Sequence, residues 1–339
     1  MTIFVTGGAG FIGSEFIRQM VGSARIINFD KLTYAGNLDN LTEAAKSPDY
    51  SLVRGDVCDA QAVMDALPEG CDAVVHFAAE SHVDRSIAGA EEFVRTNVLG
   101  TQVMLDAARR RGVKRFLYIS TDEVGGDMPP GGWFREDDPL KGSSPYAASK
   151  AGAELLVGAA ARTFGMNTLI TRTSNNYGPY QFPEKLLPLA ISNVLEDRPI
   201  PVYGDGMQVR DWVHVTDNCR ALRAVLERGR PGETYHIGGG NPLPNIEVLR
   251  TLLKILGKPE SLLTTVTDRL GHDRRYAVDF SKTTGELGWK PEISFADGLA
   301  RTIRWYQDNT EWVRRCRSGE YRTYYESMYG DREATAKAL

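Results

Sequence analysis

The stretch Thr2-Ile3-Phe4-Val5-Thr6-Gly7-Gly8-Ala9-Gly10-Phe11-Ile12-Gly13 decides the fold. Thr2 to Val5 read as a buried strand and Ser14 to Met20 as a helix, so the glycines fall in the turn between them. Gly7, Gly10 and Gly13 permit a tight turn and a close approach of backbone to a pyrophosphate, whose charge then meets the helix N-terminus. A glycine pattern alone is a weak signal; flanked by strand and helix it reads as a dinucleotide site. A second strand, Ala24 to Phe29, ends in Asp30. A carboxylate there accepts from the ribose hydroxyls of NAD and repels the extra phosphate of NADP, although Lys31 beside it complicates the charge argument.

Outward from this unit, strands are expected at Tyr50 to Val53, Ala73 to Phe77 and Phe116 to Ile119, and helices at Ala60 to Leu67, Glu91 to Arg109 and Tyr146 to Phe164. The alternation predicts an α/β fold: a Rossmann-type, mostly parallel sheet with helices on both faces. Asp56-Val57 and Ala78-Ala79-Glu80-Ser81 then lie at the carboxyl edge, where such sheets bind ligands. His76, inside an apolar strand, reads as a packed core histidine, and Ser81-His82-Val83-Asp84-Arg85-Ser86 as a polar cluster just beyond it. Arg85 there is placed to meet either a phosphate or a carboxylate of the chain itself.

A chain of 339 residues exceeds what one hydrophobic core usually serves, so a large nucleotide domain and a smaller partner are expected. A formal charge of −4 gives no electrostatic reason to expect nucleic acid or an acidic membrane as partner. Four scattered cysteines, Cys58, Cys71, Cys219 and Cys316, suit free thiols in a reducing compartment, and the five dispersed histidines form no metal set. The chain enters a strand almost at once, and no apolar stretch has the length of a membrane span, so a soluble, cytoplasmic protein is expected.

Two further sites carry chemistry. Tyr146 and Lys150 are four apart and share a helix face, so the ammonium is expected to hold the phenol partly as phenolate, a base for an alcohol proton. Asp122 and Glu123 follow the strand ending near Ile119, and two carboxylates there can divide acid and base roles if their surroundings separate their pKa values. Oxidation followed by elimination becomes conceivable.

These residues resemble the extended short-chain dehydrogenase/reductases and, more closely, the dTDP-glucose 4,6-dehydratase family. The resemblance runs from Thr6-Gly7-Gly8-Ala9-Gly10-Phe11-Ile12-Gly13 to Glu286-Leu287-Gly288-Trp289. Its distinctive pieces include Asp30-Lys31-Leu32-Thr33-Tyr34, Thr121-Asp122-Glu123-Val124, Asn175-Asn176-Tyr177-Gly178-Pro179 through Glu184-Lys185, Val209-Arg210-Asp211-Trp212 and Gly271-His272-Asp273-Arg274-Arg275-Tyr276. It implies that Tyr146 removes the proton of a sugar 4-hydroxyl while C4 hydride passes to NAD, with Lys150 tuning the phenol and Thr121 bonding near O4. Glu123 then takes the C5 proton, acidified by the new ketone, Asp122 protonates the departing 6-hydroxyl, and hydride returns to C6. The product is a 4-keto-6-deoxy sugar, a step of deoxysugar biosynthesis.

The resemblance also implies NAD contacts at Gly7, Gly10, Phe11, Ile12, Gly13, Asp30, Lys31, Leu32, Thr33, Asp56, Val57, Phe77, Ala78, Ala79, Ser81, Thr96, Tyr146, Lys150 and Asn176. Substrate contacts are implied at Ser81, Thr121, Asn175, Lys185, Leu186, Pro201, Tyr203, Arg210, Asn245, His272 and Arg274, with Arg210 and Arg274 apt for a diphosphate. The division becomes interleaved: 1–179 for NAD, 180–208 for substrate, 209–232 returning to the NAD domain and 233–339 mainly for substrate. A homodimer through helices around 91–109 and 146–164 is implied as well.

Three departures stand out. Gly125 replaces the usual tyrosine after Thr121-Asp122-Glu123-Val124, which is expected to open space and loosen the backbone, with the loop through Trp133 refilling part of the volume. His214 for tyrosine and Leu270 for proline are candidates for altered base or sugar preference. Rival readings are a 4,6-dehydratase of a UDP-linked or modified sugar, a nucleotide-sugar 4-epimerase, a UDP-glucuronate decarboxylase and a non-catalytic NAD-binding protein. An epimerase needs no elimination pair, and Asp122 is an awkward neighbour for a substrate carboxylate.

Overall fold

The structure, a computed structural model, describes residues 1–318. Its strands are β1 (Thr2–Thr6), β2 (Arg25–Asp30), β3 (Tyr50–Arg54), β4 (Ala73–His76), β5 (Phe116–Thr121), β6 (Thr168–Thr173), β7 (Asn175–Tyr177), β8 (Ile200–Tyr203), β9 (Val209–His214), β10 (Thr234–Ile237), β11 (Pro242–Pro244) and β12 (Leu263–Val266). Helices are α1 (Phe11–Met20), α2 (Ala60–Ala66), α3 (Val83–Ala88), α4 (Glu91–Phe93), α5 (Gly100–Arg110), α6 (Pro145–Phe164), α7 (Leu186–Leu195), α8 (Val215–Arg228), α9 (Asn245–Leu256), α10 (Ser281–Leu287), α11 (Phe295–Asp308) and α12 (Thr310–Cys316).

Strand alternation builds two cores from one sheet. Ile3 and Val5 of β1, Val75 of β4 and Leu117 of β5 enter one buried cluster with α1 and α8. Phe4, Val74, Phe116 and Tyr118, one residue out of phase on the same strands, enter another with α2, α5 and α6. The near-continuous apolar runs are thus what a sheet covered on both faces requires. Seven strands pair in parallel in the order β3-β2-β1-β4-β5-β6-β10, so the order reverses between β1 and β4. That reversal opens a crevice at the carboxyl ends of the strands. The expected α/β, mostly parallel fold is borne out.

A third core joins Tyr177, Leu187, Val202, Trp212, Leu249, Leu252, Phe295 and Tyr306 from β7, α7, β8, β9, α9 and α11. The small sheets β11-β9-β7 and β12-β8 lie among these elements.

The helix expected over 91–109 changes pitch: Glu91–Phe93 and Gly100–Arg110 are α-helical, and Val94–Leu99 between them is π-helical. The wider turn carries the buried Asn97, whose amide accepts from Glu80 N (2.9 Å) and donates to Glu80 O (3.0 Å) and Ser149 Oγ (2.8 Å). It fixes the edge of the crevice to α6. His76 is fully buried between Thr6 Oγ1 (2.6 Å) and Thr101 Oγ1 (3.1 Å), and burial lowers its pKa to about 3, the core histidine expected. All four cysteines are free.

Candidate active site

The crevice is a cavity of about 450 Å³ reaching from the β1–α1 turn to β8 and α9. Gly7 has φ +70, and a Cβ there would stand 2.7 Å from Ala78 N; one at Gly13 would stand 2.4 Å from Gly7 O. Turn, neighbouring strand end and helix are therefore packed backbone to backbone, which only glycine allows. Gly10 caps α1 with no side chain, so the unpaired first-turn amides at the cavity wall keep their anion-binding capacity. Asp30, at the end of β2, accepts from Ala9 N and Leu32 N, each at 2.8 Å, and still faces the cavity. Lys31, which also lines the cavity, pairs with Asp56 at 2.9 Å, so its charge is engaged by another carboxylate rather than by Asp30. Glycine cradle, orphan amides and ribose acid together fit NAD.

Ser144 Oγ accepts from Ala147 N at 3.1 Å, and with Pro145 in the first turn it starts α6. This sets Tyr146 and, one turn on, Lys150 against the end of β5. Thr121 caps the 3-10 turn Asp122–Gly125 by accepting from Glu123 N at 3.3 Å, which brings both carboxyls beneath the cavity. Burial raises both, but unequally in circumstance. Asp122 is pushed far up, first by burial and then by Glu123. Glu123 is also raised by burial, against which Arg269, Arg210 and Lys185 pull it down. The surroundings thus favour Asp122 as proton donor and Glu123 as acceptor.

Burial works against the expected phenolate. Lys150 Nζ donates to Ile119 O at 2.6 Å and sits 4.2 Å from the Tyr118 ring centroid. Burial lowers its pKa to about 7, with Glu154 opposing. Tyr146 is driven up, by burial first and by Glu123 next, with a hydrogen bond to Thr121 acting the other way. Spacing put ammonium and phenol on one face, but desolvation outweighs that proximity.

Most predicted positions converge on the cavity: Phe11, Ile12, Thr33, Val57, Phe77, Ala79, Ser81, Thr96, Asn175, Asn176, Lys185, Leu186, Pro201, Tyr203, Arg210, Asn245 and His272 all line it. Two do not. Leu32 packs on the core under α1, with φ +57. Arg274 is half exposed and holds Asp205 in two parallel bonds of 2.8 Å. The guanidinium that enters instead is Arg269, with 17% of its side chain exposed, 3.7 Å from Asp84. Its buried Nε has no hydrogen-bond partner among the described residues. The signal was its place next to Leu270-Gly271-His272. Arg85 meets the chain's own Glu184 (3.8 Å) and stacks on Tyr34 (3.9 Å). Glu184 and Gln208 are further lining residues that sequence reasoning gave no role.

Two departures lie outside the cavity. Leu270 is 57% exposed, and His214 is buried edge-on to Tyr177 at 5.3 Å, accepting from Thr216 N. Neither lines the site, so neither sets base or sugar preference by contact. The third is corrected more sharply: Gly125 opens no space, because the Phe134 ring occupies it, 2.6 Å from where a Cβ would stand.

Fold and site define an extended short-chain dehydrogenase/reductase with an acid/base turn beside its Tyr/Lys pair. A family model described as GDP-mannose 4,6 dehydratase matches residues 4–302. A dTDP-glucose 4,6-dehydratase of Actinoplanes sp. is 51% identical, covering 92% of this chain and 99% of its own, and that of Escherichia coli is 47% identical, covering 98% and 100%. The crystal structure of DesIV, a dTDP-glucose 4,6-dehydratase from Streptomyces venezuelae with NAD and dTDP bound, superposes with TM-score 0.91 at 51% identity, covering 93% of this chain and all of that one. A UDP-glucuronic acid 4-epimerase from Bacillus cereus reaches TM-score 0.84 at 27% identity, covering 91% and 99%. The chain belongs to the dTDP-glucose 4,6-dehydratase family.

Proposed function

We propose that the protein is an NAD-dependent hydro-lyase that converts dTDP-glucose to dTDP-4-keto-6-deoxy-glucose. The observation that carries this reading is the Asp122-Glu123 pair lining the cavity with Tyr146, Asp122 of it buried, shared by neither an epimerase's needs nor a binding protein's. NAD, bound by the glycine turn and Asp30, supplies an acceptor for the C4 hydride and gives it back at C6. Thr121 holds O4 and Tyr146 takes the hydroxyl proton. Protonated Asp122 removes one of the negative neighbours that keep the phenol neutral, and Lys150, titrating near pH 7, offers compensating charge. The C4 ketone acidifies C5; Glu123 takes that proton and Asp122 delivers its own to the 6-hydroxyl, which leaves as water. Arg210 and Arg269 hold the diphosphate, so the family assignment of that role to Arg274 passes to Arg269.

Segments 180–208 and 233 onward supply the substrate lobe and 209–232 returns to the NAD lobe; residues 319–339 of that division lie outside the described residues. A cytoplasmic homodimer is the proposed form. Val94, Leu99 and Leu155 leave large apolar side chains exposed on the helices 91–110 and α6, a surface suited to a second copy. No helix of the described residues is long and apolar enough to cross a membrane, and no metal-binding group of side chains occurs among them.

Incubation with dTDP-glucose, UDP-glucose and UDP-N-acetylglucosamine in parallel, followed by product mass, tests the reading. Loss of one water from dTDP-glucose alone is expected. Dehydration of a UDP sugar only would move the substrate; an unchanged mass with an epimerised product would replace the reaction.

A further inference from the structure

The segment between the acid/base turn and α6 carries a side chain with no assigned role. Phe134 is buried in a small cluster with Tyr276 and Val278, with Met128 packed against it. Its backbone bonds both ways to the 277–279 segment, Phe134 N to Ala277 O and Asp279 N to Phe134 O, each at 2.8 Å. Its ring carbons stand 2.6–2.8 Å from the position a Cβ would take on Gly125, the last residue of the turn that carries Asp122 and Glu123. Gly125 has no positive φ, so its backbone would accept a side chain, and the three nearest atoms such a side chain would meet all belong to this ring. The turn is held from the other side as well, by Lys141 N donating to Val124 O at 2.8 Å. Tyr276, next to Phe134, hydrogen-bonds Asp273 and lies 4.2 Å from the Arg210 guanidinium, one of the charges facing the pair.

We propose that Phe134 is a positioning residue for the Asp122-Glu123 turn, supplying from the following loop the ring that a side chain at 125 would otherwise supply from the turn itself. The proposal rests on the elimination reading above and assigns the step it serves: C5 proton removal, not C4 oxidation. With the ring removed, the turn gains room, Glu123 leaves its place against C5, and Tyr146, held on α6, keeps its own. The groups facing Glu123 are Arg269, Arg210, Lys185 and Asp273, together with Asp122 and Tyr146. A turn that moves away from Arg269 and Arg210 leaves the Glu123 carboxylate less stabilised, so the acid limb of the rate profile moves to higher pH.

The test is a cycle of Gly125→Tyr, Phe134→Ala and the double variant in NAD-loaded enzyme. Both thermal midpoint and exchange of the C5 proton with deuterated solvent are read. Each single variant is expected to lower the midpoint and slow C5 exchange about tenfold or more, while reduced nicotinamide builds up on adding sugar nucleotide; the double variant recovers both. Phe134→Leu, which keeps the core apolar, shows the same step-selective slowing if Phe134→Ala proves too unstable to assay. C5 exchange at the wild-type rate in Phe134→Ala or Phe134→Leu, or single-variant effects that simply add in the double, overturns the proposal. Wild-type enzyme that dehydrates no nucleotide hexose sinks the elimination reading itself, whereas wild-type turnover with unaltered Phe134 variants sinks only this inference.

Discussion

Replacing Lys150 by Met removes the buried charge on which the oxidation half of the account depends. Its effect on stability can be worked from the structure. Lys150 is 3% exposed, and burial lowers its pKa from 10.5 to about 7. Below pH 7 native and unfolded chains both carry the proton, so the native state bears the whole desolvation penalty. Between pH 7 and 10.5 only the unfolded chain binds it, and stability rises with pH. From pH 6 to pH 9 the wild-type chain should therefore gain on the order of 2–3 kcal/mol that Lys150→Met does not. Urea unfolding of nucleotide-free protein at the two pH values reads it directly: Lys150→Met should be the relatively more stable chain at pH 6 and lose that advantage by pH 9. Other titrating groups are common to both chains. Equal stability differences at the two pH values would refute a depressed lysine and restore an ammonium as the resting state near Tyr146.

Other consequences are as direct. Arg269→Met should weaken dTDP binding by about 2–5 kcal/mol in calorimetry, because it removes a largely buried guanidinium and strands Asp84, while Arg274→Met, which breaks a surface pair, should change it by less than about 1 kcal/mol. Gly13→Ala sets a Cβ 2.4 Å from Gly7 O, so the purified protein should carry no NAD and unfold at lower temperature; full NAD content would show the turn to be looser than described. Glu123→Gln should stop C5 exchange yet allow reduction of the nicotinamide, and Tyr146→Phe should stop both; normal dehydration by either variant contradicts its assigned role.

The parts legible in sequence were those written in local spacing. The glycine turn, Asp30 at a strand end, His76 in an apolar strand and the Asp122-Glu123 pair each declare their place within a dozen residues. What sequence could not fix was direction and environment. Gly271, with φ +60, sits in the turn between Arg269 and Arg274; one guanidinium enters the cavity and the other meets Asp205. The i, i+4 spacing of Tyr146 and Lys150 located both groups but not the dielectric around them, and desolvation decided their protonation. Gly125 read as a loss because its replacement, Phe134, comes nine residues later through a bridge to Val278 that no local pattern announces.

The proposed reaction removes a hydride from C4 and restores it at C6 of one sugar, with water lost between. Conversion of dTDP-glucose deuterated at C4, followed by proton and deuterium NMR of the product, tests it most directly. A dehydrated product with the deuterium in its C6 methyl group is expected. Deuterium retained at C4, or released to solvent from a product that has lost no water, would contradict it.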